Sequence, residues 1–221
     1  LKKVRKLADK KNIVLIFDEC TSGFRQTLGG LHKYYKINPD IAIFGKALGN
    51  GYAINAIIGK RPIMEATNKS FISSTFWTER IGPTAAIETL KVMEELKSWQ
   101  TITENGKKIK KQWQKLSNKF NLNIDIKGID AIPNFSFRSK NNIAYKTLIT
   151  QEMLKKNILA SNAVYCTTAH SKTLYEKYFN LLDDVFNKIK KIENDTNKLS
   201  DYLNHPLSIS GLREKKIKYK A

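Results

Sequence analysis

LIFDECTSGFR, residues 15–25, runs three apolar side chains straight into two adjacent carboxylates, Asp18 and Glu19, before the chain turns polar and glycine-containing. An uninterrupted apolar run without polar alternation reads as a strand covered on both faces, the kind found in parallel sheets. Its acids stand where the strand leaves the core. A carboxylate held there can stabilise a cation that water would not protect, and the surrounding sequence narrows which cation that is.

Upstream, LKKVRKLADKK (1–11) places Leu1, Val4, Leu7 and Ala8 at helical spacing, so a helix feeds the strand IVLIF (13–17). Downstream, TSGFRQTLGGLHKYYKINPD (21–40) reads as a loop, with Pro39 and Asp40 marking entry into a second apolar run, IAIFG (41–45), that ends at Lys46. In the glycine-rich GKALGNGYAINAIIG (45–59), INAIIG predicts a third strand, and RPIMEAT (61–67) a short helix. This order predicts an α/β domain with a mostly parallel sheet over residues 1–100. From Thr84 to about Phe120, the apolar residues Ala85, Ala86, Leu90, Val92, Met93, Leu96 and Trp99, continued by Ile102, Ile109, Trp113 and Leu116, predict one long helix joining two domains. Beyond it, LNIDIKG (122–128), IPNFSFR (132–138) and ILASNAVYCTT (158–168) read as strands, with helices at 145–157 and 172–199. Residues 101–221 therefore predict a smaller α+β domain with a basic tail.

A chain of 221 residues with 41% hydrophobic content can bury a core. Its formal charge of +19 would suit a nucleic-acid or anionic-membrane partner. The basic residues are mostly lysines scattered along the chain, however, with no zinc-finger, helix-turn-helix or RNA-binding pattern. ENGKKIKKQWQK (104–115) and REKKIKYKA (213–221) read as solvated faces or tails, and no nucleic-acid partner is expected. No apolar run approaches the roughly 18–20 residues of a membrane span, and the start lacks the apolar centre of a signal peptide, so a cytoplasmic protein without membrane contact is expected. Cys20 and Cys166 show neither CxxC spacing nor disulfide density. His32, His170 and His205 read as loop histidines, and no metal site is expected. GKALGNG has the wrong order for a Walker phosphate loop; Gly45, Gly49 and Gly51 read as turn glycines. Trp77, Trp99 and Trp113 read as core or interface anchors.

Two strands of one α/β sheet thus end at Asp18 and Lys46, and ligands collect at the carboxyl ends of such strands. Taken in order and spacing, LIFDECTSGFR, NPDIAIFGKALGNGY (38–52) and SSTFW (73–77) resemble the class III pyridoxal-phosphate aminotransferases of fold type I, the aspartate aminotransferase-like fold. DE followed by TSGFR looks most like the glutamate-1-semialdehyde aminomutase-like branch, whose tail LSISGLREKK (207–216) echoes; FISSTFWTERIGP (71–83) resembles enzymes of that branch serving sugar and surface-polysaccharide pathways.

The resemblance implies pyridoxal 5'-phosphate as cofactor and a homodimer with a shared active site, acting on an amino donor and a carbonyl substrate. It makes Lys46 the Schiff-base lysine and general acid/base, and Asp18 the partner of the ring nitrogen; the cation at the strand end is then the pyridinium. Cys20 takes the place of a small aliphatic residue packed on the ring. Thr21 stands where many relatives carry a longer side chain. Thr75 matches a threonine that reaches the neighbouring subunit's cofactor phosphate. Arg80, in STFWTERIGP (74–83), is a candidate for binding a substrate carboxylate or phosphate, or for an ion pair with Glu79. Glu19 reads as a structural acid for nearby backbone or Arg25.

In this family the first helix lies midway through the large domain. The chain is thus expected to be a C-terminal fragment lacking the N-terminal half, and inactive alone. A transaminase is the leading reading. An aminomutase moving the amino group within one substrate is the alternative, and a noncatalytic basic binding protein is the alternative from a different class.

Overall fold

The computed structural model describes residues 1–195 and 199–208. The tract 213–221, the tail from 209 and residues 196–198 of the expected last helix lie outside them. The chain divides into two compact units, one of Leu1–Asn105 with Ile129–Ala131, the other of Gly106–Gly128 with the described residues from Ile132 onward.

The first unit opens with α1 (Lys2–Lys11), which ends at Asn12 in the left-handed conformation, φ 50°, with the Asn12 N–H returning to the carbonyls of Ala8 and Asp9. Lys10 and Lys11 sit at the negative end of the helix dipole. Of the apolar run that follows, Ile16–Asp18 forms β1; Leu31–Tyr35 is a short helix, α2, inside the stretch expected to be loop. β2 (Ile41–Phe44) lies parallel to β1 with Asp18 opposite Ile43. β3 (Ala56–Gly59) lies antiparallel to β2, so this part of the sheet is mixed, with order β1-β2-β3. Ala42 and Phe44 alternate inward from β2 and join Leu48 and Ala86 in a small core, with Phe24, Ile54 and Leu90 packed around it.

Asp40 fixes the register. The residue is 5% exposed, and its carboxylate accepts hydrogen bonds from the Leu15 N–H (2.8 Å) and from Arg5 of α1 (2.9 Å), and pairs with Lys60 beyond β3 (2.7 Å). The Asp40 N–H in turn donates to the Leu15 carbonyl at 2.8 Å.

After α3 (Arg61–Met64) and an exposed stretch, the expected single helix is two: α4 (Ile81–Leu96) and α5 (Ser98–Phe120). Lys97 between them adopts φ 46°. Lys97 is neither glycine nor proline, and the apolar spacing continues across it, which is why the pattern hid the break. α5 begins in the first unit and ends in the second.

In the second unit, β4 (Ile124–Lys127) and β5 (Asn134–Phe137) pair antiparallel. α6 (Asn142–Leu154) and α7 (Lys172–Asn194) complete it, α7 being capped by the Ser171 hydroxyl, which accepts from the Leu174 N–H at 3.2 Å; α8 (Leu199–Tyr202) follows. Trp113, Phe135, Tyr145, Leu148, Ile149, Phe186 and Ile189 are fully buried, and the Trp113 indole N–H donates to the Tyr178 hydroxyl at 3.1 Å. Residues 158–168 do not form the expected strand. They touch β5 through an isolated bridge at Ala163, while the Asn162 side chain takes the Phe135 carbonyl at 2.7 Å and so replaces a ladder bond.

Burial disfavours ionisation of Glu152, but hydrogen bonds from Lys155, Lys188 and Gln151 outweigh it and bring its pKa from 4.5 down to about 2. A depressed carboxylate stabilises the fold above its unfolded pKa, and that contribution fades as pH falls through the folded value. Glu152→Gln is expected to lose about 2 kcal/mol at neutral pH. Melting temperatures of variant and wild type should converge as pH drops from 4.5 toward about 2.

Candidate active site

The parallel pairing of β1 and β2 sets the geometry. Asp18 is the last residue of β1, opposite Ile43, and β2 runs only to Phe44 before Gly45 and Lys46. Lys46 opens a 3₁₀ turn with Ala47 and Leu48, and the buried Leu48 anchors that turn in the core. Lys46 is exposed and takes φ 46°, a left-handed conformation that a residue with a Cβ adopts only at a cost. Its Nζ donates a hydrogen bond to the Thr21 hydroxyl.

Gly45 is extended, so it is not a turn glycine. A Cβ there would lie 2.3 Å from Asn55 Oδ1 and 3.5 Å from Cys20 Sγ. The missing side chain at Gly45 thus makes room for the Asn55 amide, with Cys20 Sγ alongside. Beside Asp18 opens a cavity of about 240 Å³, whose lining includes Phe17, Glu19, Ser22, His32 and Tyr35.

The two titratable neighbours here are pushed in opposite directions. Asp18 is held below the usual carboxylate range by the Cys20 backbone N–H, which donates to Oδ1 at 3.0 Å, then by the Cys20 side chain and, to a smaller extent, the Lys46 charge. The Cys20 thiol is pushed up by burial and by the Asp18 charge, which keeps it protonated and uncharged. The site therefore offers an anion, an amine and a neutral thiol.

Glu19, 3% exposed, serves the backbone: it accepts from Leu31 N–H (2.7 Å) and His32 N–H (2.8 Å), and also from the Ser22 hydroxyl (2.6 Å) and His32 Nδ1 (2.9 Å). His32, expected in a loop, is on α2. His170 and His205 do lie outside the helices and strands. Sequence reasoning missed the Glu19–His32 pair, the Thr21–Lys46 contact and the role of Asn55. The adjacency of two acids at one strand end was the signal that one of them had another partner.

The structure brings together Asp18, Cys20, Thr21 and Lys46, but not Thr75 and Arg80. Thr75 lies in an exposed turn. Arg80 is the N-cap of α4, where its carbonyl accepts from the Thr84 N–H and hydroxyl; among the described residues its side chain forms no ion pair with Glu79. Trp77 is exposed and Trp99 partly buried, so of the three tryptophans Trp113 is the core anchor. Among the described residues no group of three His, Cys, Asp or Glu could hold a metal ion, and no helix is long and apolar enough to cross a membrane.

The family description "Aminotransferase class-III" matches residues 1–186. The chain is 35% identical over 162 residues to a 3-aminobutyryl-CoA aminotransferase of Cloacimonas acidaminovorans, covering 72% of this chain and 39% of that one. It is 30% identical over 203 residues to a glutamate-1-semialdehyde 2,1-aminomutase of Methanococcus maripaludis, covering 84% and 47%. Among solved structures, the FumI protein of Sphingopyxis sp. MTA144 in its PLP internal aldimine form superposes with a TM-score of 0.79 at 22% identity, covering 88% of this chain and 47% of that one. An S-selective transaminase from Arthrobacter sp. gives a TM-score of 0.74 at 19% identity, covering 87% and 48%. The chain spans less than half the length of each of these proteins.

Gly45→Ala places a methyl group against Asn55 and is expected to cost about 1–3 kcal/mol. Asn55→Ala in the same chain removes the obstructing oxygen and should recover part of that loss. Thermal denaturation of the single and double variants measures both effects.

Proposed function

This chain belongs to the class III aminotransferases, and on that footing we propose that it forms part of a pyridoxal 5'-phosphate-dependent transaminase in which Lys46 carries the cofactor and Asp18 holds its ring nitrogen. The observation that supports this reading is an exposed amine on a left-handed residue beside a carboxylate kept ionised at the adjoining strand end. These residues fit the group: an anion for a pyridinium N–H, an amine for an aldehyde carbon, and a neutral thiol to lie against a ring.

When bound, the cofactor supplies an electron sink for the bond broken at the substrate carbon. Asp18 keeps the ring nitrogen protonated, because its charge is maintained at pH values where an ordinary carboxyl would begin to protonate. Lys46 Nζ would hold the cofactor's aldehyde carbon and would serve as the base that removes the proton from the substrate carbon and returns it. The Thr21 hydroxyl, already hydrogen-bonded to Nζ, orients that amine. Cys20 contributes apolar contact.

Thr75, Phe71, Phe76 and Trp77 are exposed on one continuous segment, which supports a homodimer in which this segment meets the neighbouring subunit's cofactor phosphate. Arg80, adjoining it and making no ion pair to Glu79, is suited to a substrate carboxylate or phosphate. The same segment carries our assignment to sugar or surface-polysaccharide metabolism. We assign residues 1–100 to the second half of the large domain and 101–221 to the small domain; the two compact units, the first running to Asn105 and including Ile129–Ala131, support this division. A cytoplasmic setting is part of the same reading. Intramolecular amino transfer is the second reading, favoured by the aminomutase relative. Family membership favours either enzyme over the noncatalytic basic binding protein that the charge of +19 alone would allow.

Lys46→Ala in the holoenzyme is expected to abolish turnover while the fold persists. Borohydride reduction and peptide mapping of the wild type should find the cofactor on Lys46; a label on any other lysine overturns the assignment. Asp18→Asn is expected to keep the cofactor attached and to lower kcat by about a hundredfold, roughly 2.7 kcal/mol in barrier. Near-normal turnover in that variant would show the acid to be structural.

A further inference from the structure

Glu19 is the residue through which the site's loop is held. Its N–H donates to the Ile43 carbonyl at 2.8 Å, which continues the β1–β2 pairing one residue past Asp18. Its carbonyl accepts from the Gly23 N–H at 2.7 Å, which turns the loop. Its carboxylate closes the far end of the same loop by accepting from Leu31 and His32 as well as from Ser22 within it. One residue thus ties β2, the loop and α2 together, and the two residues that follow it are Cys20, whose N–H points at Asp18, and Thr21, whose hydroxyl meets Lys46.

The fit around the carboxylate is close. A Cβ on Gly30 would lie 2.2 Å from His32 Nδ1 and 2.9 Å from Glu19 Oε1, so the glycine makes room for the pair. The His32 ring, its side chain 11% exposed, stands between Phe17 of β1 and Phe44 of β2, each ring centroid 6.4 Å away. With Nδ1 facing an ionised carboxylate, the proton sits on Nδ1. Burial raises the Glu19 carboxyl pKa, but the converging donors outweigh it and keep Glu19 ionised. A buried anion is an expensive way to gain stability, yet its satisfied geometry admits one loop conformation.

We propose that Glu19 and His32 form a buried positioning pair that aims the Cys20 N–H at Asp18 and the Thr21 hydroxyl at Lys46. The electrostatic setting of the cofactor then depends on a carboxylate that touches neither cofactor nor substrate. This inference rests on the assignment of Asp18 and Lys46 above.

The test uses the holoenzyme carrying His32→Phe, which removes the Nδ1–H donor but keeps a ring between Phe17 and Phe44. The readings are the affinity for pyridoxal 5'-phosphate, the pH midpoint of the bound cofactor's visible absorbance, and kcat against KM. The expected result is a folded protein whose absorbance midpoint moves by about half a pH unit or more, whose cofactor affinity falls about tenfold, and whose kcat falls with little change in KM. An unchanged midpoint and affinity in a folded variant, with only a lower melting temperature, overturns the proposal and leaves the pair as scaffold. If His32→Phe does not fold, Glu19→Asp, which withdraws the carboxylate by one methylene, is judged by the same readings. A wild type whose cofactor is bound away from Lys46 sinks the site assignment itself, whereas an unresponsive variant of a correctly loaded enzyme sinks this inference alone.

Discussion

Register between β1 and β2 is the constraint on which the site depends, and the buried carboxylate of Asp40 enforces it. Neighbouring parallel strands could pair one residue out of step, which would turn every side chain to the opposite face. Asp18 would then point into the small core and Phe17 toward solvent. Asp40 prevents this by accepting the Leu15 N–H just ahead of β1 while gripping Arg5 of α1 and Lys60 beyond β3. Its donors, led by the Leu15 N–H, hold its carboxyl far below the ordinary range. With all these donors in place the anion can be buried; with one missing its desolvation would be uncompensated.

Three acids within 23 positions therefore do three different things. Asp40 sets register, Glu19 holds a loop, and Asp18 is left exposed at the strand end. Composition does not separate them; exposure and donor supply do. Asp40 and Glu19 are surrounded by backbone N–H groups and side-chain donors drawn largely from distant sequence, whereas the Asp18 hydrogen bond comes from a residue two positions away and the side chain stays exposed. The Cys20 thiol is raised first by its own burial and then by the same Asp18 charge that the Cys20 N–H stabilises, so the two groups are pushed in opposite directions.

Much of this was legible in the sequence where a local rule sufficed. The apolar runs that stop at Asp18 and before Lys46 give the strand ends directly, and the β4 and β5 segments follow from alternation. What was not legible required partners far along the chain or a backbone state that residue type does not announce. The break at Lys97 has no glycine or proline to mark it. Residues 158–168 have strand-like composition, but Asn162 spends its side chain on the β5 carbonyl that a ladder would use. Glu19 meets His32 because α2 folds back onto the strand end, and nothing in a stretch rich in turn formers predicts that five-residue helix.

Lys46 joins two demands that conflict. Its left-handed backbone is one that glycine adopts freely, and any side chain there costs roughly 1 kcal/mol. On the proposed assignment the amine cannot be dispensed with, so selection for stability and selection for turnover would pull position 46 in opposite directions. A duplicated copy released from catalytic duty would gain stability by losing this lysine. Glycine or asparagine at position 46 would then mark a descendant that has kept the scaffold and abandoned the chemistry.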